Sequence, residues 1–170
     1  DQRLDLAFIL TSQGLVQVLA GRGDGTFTAA RTYATGRGPL AAADLNSDGR
    51  PDLAVATANE VVVLLSGPLG VGFEPLTAAR YPIPGAASAL ATSDLNLDRF
   101  TDLAVALGGL PALAVLRNNG SGGFSVSSTA LVEPSQTVAL VALDSSRAPK
   151  GAVTGASTIG AEAPSRPACS

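Results

Sequence analysis

The sequence contains no histidine. Imidazole general bases, His-containing triads and His-ligated zinc are therefore excluded. Its one cysteine, Cys169, has no partner for a disulfide within the chain and cannot build a thiolate cluster, so it reads as an incidental thiol. Tryptophan is also absent, and Tyr33 and Tyr81 are the only tyrosines, which leaves little for the aromatic platform of a sugar site. Charge is sparse, at 15% of residues and a net −3. Ten arginines and Lys150 are scattered singly, so no basic patch tracks a phosphate backbone and nucleic acid is not an expected partner. No apolar run reaches the roughly 18 residues of a membrane span, and no charged segment leads into a leader-type apolar stretch. Membrane insertion is not expected; either a leader was removed or the chain is cut from something longer.

What is present is apolar and turn-rich. Hydrophobic residues make up 46% of the 170, enough for one domain with a real core, and Gly (19) and Pro (11) punctuate runs of only a few apolar residues. Short runs between turn residues predict β structure. A repeat then organises the chain. "DLNSDGRPDLAVATA" at 44–58 returns as "DLNLDRFTDLAVALG" at 94–108, and Asp144 in "VALVALD" keeps the same spacing. Each motif runs into a strand: "DLAFIL" from Asp5, "DLAVATA" from Asp52, "DLAVALG" from Asp102. Second strands follow as "LVQVLAG", "VVVLLSG" and "ALAVLRN". Gly-rich turns then lead to Phe27, Phe73 and Phe124, supplying the positive φ of hairpins.

A third strand carries "RTYATG" or "ARYPIPG", and a fourth, "PLAAADL", "ASALATSDL" or "TVALVALDS", leads to the next motif. Four short strands per repeat predict an all-β chain of β-propeller blades, each a four-stranded antiparallel sheet, about three in number. The units run over about residues 5–51, 52–101 and 102–151, within a repeat region of 1–144. Residues 145–170 read as a degenerate repeat and a Ser/Ala/Pro-rich tail. In "DLAVA", Leu53 and Val55 share one face and Ala54 and Ala56 the other, so a small face beside a large one lets adjacent sheets interdigitate.

The acidic motif has the oxygen-ligand spacing of a calcium loop. With Asp44 as position 1, Asn46 is 3, Asp48 is 5, Gly49 is 6, Arg50 is 7 through its carbonyl, and Asp52 is 9. Three carboxylates held close together repel unless a divalent ion offsets them. Position 12 is Val55 and a strand follows, so this is not an EF-hand. The second copy keeps Asp94, Asn96, Asp98, the Phe100 carbonyl and Asp102, but has Arg99 in place of glycine. If that position needs left-handed φ, Arg99 costs on the order of 1 kcal/mol, and the second site is the weaker. Asp1 and Asp5 form a half-copy at positions 5 and 9. Asp144 stands without the remaining carboxylates, and no metal is expected there. Asp1, Asp5 and the six aspartates of the two full loops are eight of the fourteen acidic residues, more than a bland surface explains.

The pattern D-x-N-x-D-G-x-x-D-L-A-V, with "GRGDGTF" between copies, resembles the FG-GAP and VCBS repeat family, typified by the β-propeller heads of integrin α subunits. The likeness covers about residues 1–144. It implies Ca2+ in the loops, an extracellular or cell-surface (secreted) setting, and a structural, adhesion or interaction role toward a protein or glycan, without enzymatic activity. The family's closed rings have about seven blades and this chain supplies about three. It is expected to be either a piece of a longer propeller or a subunit that binds further copies of itself, as a ring or filament. A composite site joining Asp144 of one copy to Asp1 and Asp5 of the next is one way to link them. A carbohydrate-binding propeller module is a further alternative. Arg22, Gly23 and Asp24 spell an adhesion tripeptide, but they fall inside a Gly-rich turn that hairpin geometry already explains. No histidine or nucleophile constellation remains for catalysis.

Overall fold

The computed structural model describes residues 3–28, 31–67, 78–109 and 112–130. Asp1, the turn to Phe73, the "TVALVALD" strand, Asp144, the 145–170 segment and Cys169 lie outside them.

The described residues contain no helix and form eleven strands in three sheets. The first sheet holds β1 (Leu6–Leu10), β2 (Leu15–Leu19) and β3 (Arg31–Ala34). The second holds β4 (Leu40–Ala43), β5 (Asp52–Ala56), β6 (Glu60–Leu64) and β7 (Ala79–Pro82). The third holds β8 (Ala87–Ser93), β9 (Asp102–Leu107), β10 (Ala112–Asn118) and β11 (Phe124–Ala130). Neighbours in sequence are neighbours in each sheet, all antiparallel, and the three sheets do not close into a ring. This is the architecture of partial propeller blades.

The hydrogen-bonded sheets are offset by one strand from the sequence units. The repeat put "PLAAADL" at the end of the first unit, but Leu40↔Val55 and Ala43↔Asp52 pairing places β4 beside β5. Ser93↔Asp102 does the same for β8 and β9. The reason is local: each acidic loop is a hairpin connection, and a hairpin joins neighbours within one sheet.

Alternation along β5 builds two cores. Leu53 and Val55, with Leu64, pack with Val16 and Tyr33 of the first sheet, and Ala7, Ile9 and Val18 lie against them. Ala54 and Ala56, with Val61 and Val63, pack with Leu90, Leu103, Val105 and Leu107 of the third sheet. The alanine-bearing face of one sheet thus receives the Leu/Val face of the next. All five residues of β5 and all six of β9 are buried. Each buried Leu or Val contributes roughly 1.5–3 kcal/mol, so the two interfaces dominate stability.

Candidate metal centre

The chain leaves β4 into the first acidic loop and β8 into the second. In the first, Asp44 accepts the Asp48 N–H through Oδ1 (3.2 Å) and the Gly49 N–H through Oδ2 (2.9 Å). Asn46 Oδ1 accepts the same Asp48 N–H at 3.1 Å, and its Nδ2 donates to Asp48 Oδ2 at 3.0 Å. Asp48 Oδ1 accepts the Arg50 N–H at 2.9 Å.

The second loop repeats this bond for bond. Asp94 Oδ1 accepts from Asp98 N (3.1 Å) and Oδ2 from Arg99 N (2.8 Å). Asn96 Oδ1 accepts from Asp98 N (3.0 Å) and its Nδ2 donates to Asp98 Oδ2 (2.8 Å). Asp98 Oδ1 accepts from Phe100 N at 2.9 Å. Positions 1 and 3 therefore aim an oxygen at one point in each loop.

The backbone that produces this is left-handed at two places. Ser47 (φ 63) and Gly49 (φ 79) match Leu97 (φ 65) and Arg99 (φ 77). Gly49 adopts such a φ at no steric cost, whereas Arg99 does not, so the condition attached to Arg99 in the sequence is met.

Position 7 separates the loops. Arg50 Nη2 lies 2.7 Å from Asp48 Oδ2, an ion pair on a partly exposed surface. Partial desolvation is the largest single influence on Asp48 and acts upward. The Arg50 N–H, the Asn46 amide and the Arg50 guanidinium together outweigh it and hold the carboxyl below its ordinary 3.8. Phe100 carries no charge; its ring lies against the β10–β11 turn, where a Cβ on Gly120 would come within 2.5 Å of it.

Position 9 turns inward. Asp52 and Asp102 are fully buried. Asp52 Oδ2 accepts the Leu45 N–H (2.9 Å) and Oδ1 the Ser66 N–H (2.7 Å). Asp102 likewise accepts from Leu95 N (3.0 Å) and Asn118 N (2.8 Å). In the half-copy, Asp5 accepts from Gly21 N at 2.9 Å. These carboxylates clamp the start of β5, β9 and β1 to the far end of the next strand, β6, β10 and β2 respectively. Each loop so brings two carboxylates and one amide together at its tip, and among the described residues no three carboxylates converge.

The donor set fits a hard cation: it is all oxygen, placed on alternate residues of a tight turn, with no soft ligand nearby. Asp44, Asn46, Asp48 and the Arg50 carbonyl are the groups that would hold it at the loop tip, with Asp52 buried behind them and its two oxygens engaged by the Leu45 and Ser66 N–H. In the second loop Asp94, Asn96, Asp98 and the Phe100 carbonyl correspond, with Asp102 buried behind them and engaged by the Leu95 and Asn118 N–H. Such an ion would supply positive charge and rigidity.

Asn118 is a site residue the sequence did not single out. Its Nδ2 donates to Leu45 O of the first loop (2.8 Å) and Thr101 O of the second (2.9 Å). The tripeptide at Arg22 sits in a hairpin turn, where Asp24 Oδ1 accepts from Thr26 Oγ1 (2.6 Å) and Thr26 N (2.9 Å). The Thr26 hydroxyl, then its N–H, hold the Asp24 carboxyl below its ordinary value.

Compared with known families, the chain matches the model of the FG-GAP-like repeat twice, over residues 1–55 and 44–105. Neither a curated protein nor a solved structure matches it.

Proposed function

The chain belongs to the FG-GAP-like repeat family, and from that premise we propose that it is an extracellular or cell-surface module whose acidic hairpins bind calcium and whose stacked sheets serve adhesion or protein interaction. The observation that carries the calcium reading is the identical convergence of Asp44 and Asn46 on the Asp48 N–H, and of Asp94 and Asn96 on the Asp98 N–H. Two loops of different sequence at positions 4, 6, 7 and 8 keep one geometry at the oxygen-bearing positions. Alternate oxygens on a strained turn are what a hard cation selects.

Calcium in this reading is structural. The loops lead into β5 and β9, which are buried along their whole length in the sheet interfaces, so an ion at the tip stiffens a hairpin that the clamping aspartates already fix at its base. No catalytic role is assigned, since the family is generally a structural and interaction module and no nucleophile with a matched base accompanies the loops. The carbohydrate alternative gains no support from the tyrosines. Tyr33 is buried, and Tyr81 stands edge-on to Phe124 and donates its hydroxyl to Gly122 O.

The test is thermal unfolding of the chain in chelator and in calcium. Calcium at about 100 times its Kd should add about 2.7 kcal/mol and raise the midpoint by several degrees, with magnesium giving less. Equal midpoints in chelator and calcium would sink the calcium assignment.

A further inference from the structure

The turn between β2 and β3 carries a pair of charges that its fold does not require. Arg22, Gly23 and Asp24 stand in a backbone that the β10–β11 turn reproduces. Arg22 N donates to Thr26 O and Asn119 N to Gly123 O, each at 2.9 Å. Gly23 (φ 83) and Gly25 (φ 86) match Gly120 (φ 83) and Gly122 (φ 79). Asn119 and Ser121 thus hold the places of Arg22 and Asp24, and the same turn closes without a charge. Its cap needs none either, since the Asn119 amide oxygen accepts from Ser121 N (3.0 Å) and Gly123 N (3.1 Å). Hairpin geometry accounts for Gly23 and Gly25 and leaves the charges of Arg22 and Asp24 unexplained.

Arg22, Gly23 and Asp24 are all exposed. That exposure belongs to their places in the turn and not to the end of the stack. The β10–β11 turn is covered by the second sheet: a Cβ on Gly122 would meet Leu65 at 3.0 Å and Asn46 at 3.5 Å, and the Gly122 carbonyl accepts the Tyr81 hydroxyl. Asn119 and Ser121 are exposed all the same. A sheet packed in that way against the first would cover Gly25 and leave Arg22 and Asp24 open to solvent.

Both charges are available. Among the described residues the Arg22 guanidinium has no ion pair. Asp24 Oδ1 is taken by the Thr26 hydroxyl and N–H, which anchors the side chain and leaves Oδ2 open. An anchored carboxylate with one bare oxygen is a hard ligand for a cation, and a guanidinium is a fork for a second carboxylate. A partner for this pair must offer positive charge beside negative. A divalent cation site does both, because the acidic groups that hold the ion also make its surroundings attractive to a guanidinium.

We propose that this turn is itself a ligand, recognised by a cell-surface receptor that holds a divalent cation for Asp24 Oδ2 and an acidic side chain for the Arg22 guanidinium. Gly23 between them leaves room for the approach, since a Cβ there would meet only the Arg3 side chain, at 3.7 Å. The inference deepens the adhesion reading and rests on it for its setting. It does not need calcium in the chain's own loops, to neither of which Asp24 belongs.

The experiment is attachment of cultured fibroblasts to surfaces coated with the full chain, in magnesium and in chelator, with soluble Gly-Arg-Gly-Asp-Ser peptide as competitor. Attachment should require magnesium and be displaced by the peptide. Arg22→Gln and Asp24→Asn should each lower the number of attached cells at least about tenfold, as loss of one member of a charge pair across an interface does. Asp24→Asn keeps an oxygen for Thr26, so its far-UV circular dichroism should match the wild type. Arg37→Gln removes the same charge from another exposed position and should attach as the wild type does. Chelator also acts on any ion in this chain's acidic loops, so Asp44→Asn/Asp94→Asn is run beside it. Undiminished attachment of that variant in magnesium places the required cation in the receptor, whatever the calcium melts show. Cells that attach no better than to albumin, attachment that the folded Arg22→Gln or Asp24→Asn chain retains, or attachment that the folded Asp44→Asn/Asp94→Asn chain loses would overturn the proposal.

Discussion

The side-chain amide of Asn118 donates to the backbone carbonyl of Leu45, 2.8 Å away across the boundary between the third and second sheets. The same side chain donates to Thr101 O and accepts the Gly120 N–H, while its backbone N–H goes to Asp102 Oδ1. One buried residue therefore ties the base of both acidic loops to a hairpin turn. The interface and the loops are held by a shared set of bonds, so a change at either should register at the other.

Asn118→Ala is expected to cost about 3 kcal/mol. It leaves the Leu45 and Thr101 carbonyls without this donor inside the interface, at roughly 1–3 kcal/mol for each buried polar group left unpaired. Urea unfolding should show a lower midpoint with an unchanged slope. Calcium affinity should also fall at the first loop, where Leu45 adjoins Asp44.

Much of this fold was legible because its signals are local and repeated. The alternation in "DLAVA" marks which side chains of β5 face each neighbouring sheet, and Leu53 and Ala54 do fall in separate cores. Which strand opens a sheet was not legible, since a period has no origin and only the Ala43↔Asp52 pairing supplies one. Within the acidic motif, Asp48 and Asp52 look alike as letters. Asp52 is buried because it is the first residue of β5, while Asp48 stays on the loop tip. Asn118 had no periodic signal at all. Ser66 and Gly21 occupy its place, and what repeats there is a backbone N–H donated to Asp52 or Asp5.

Asp52 and Asp44 should separate clamp from ligand. Asp52→Asn puts an amide NH2 against one of two backbone N–H donors in a buried setting, and should cost about 2–3 kcal/mol with or without calcium. Asp44→Asn, on the accessible side of the loop, should cost less than about 1 kcal/mol in chelator and abolish most of the calcium-dependent gain at that loop. Parallel melts of the two variants in both conditions check this; equal losses in chelator would contradict the division of roles.

Arg99→Gly should stabilise the chain by about 1 kcal/mol, because φ 77 strains a residue with a Cβ and suits glycine. Gly49→Ala, at φ 79, should destabilise by a similar amount. If the second loop binds calcium more weakly than the first because of this strain, Arg99→Gly also narrows the gap between two calorimetric binding steps.

Acid should act on the loop tips in a defined direction. Asp48 and Asp24 are both held below the ordinary 3.8 in the folded chain, so the native state binds fewer protons than the unfolded one below that pH. Their contribution to stability is complete above about pH 3.8 and is lost as pH falls through the lower folded values. Carboxyl 13C titrations should give midpoints below 3.8 for both residues, and Asp48→Asn should flatten the acid limb of the stability curve. Arg50→Gln should move the Asp48 midpoint upward, since the guanidinium is one of its three stabilising partners, and leave Asp24, bonded to Thr26, where it was. A midpoint for Asp48 at or above 3.8 in the wild type would mean that the loop tip does not hold the bonds described.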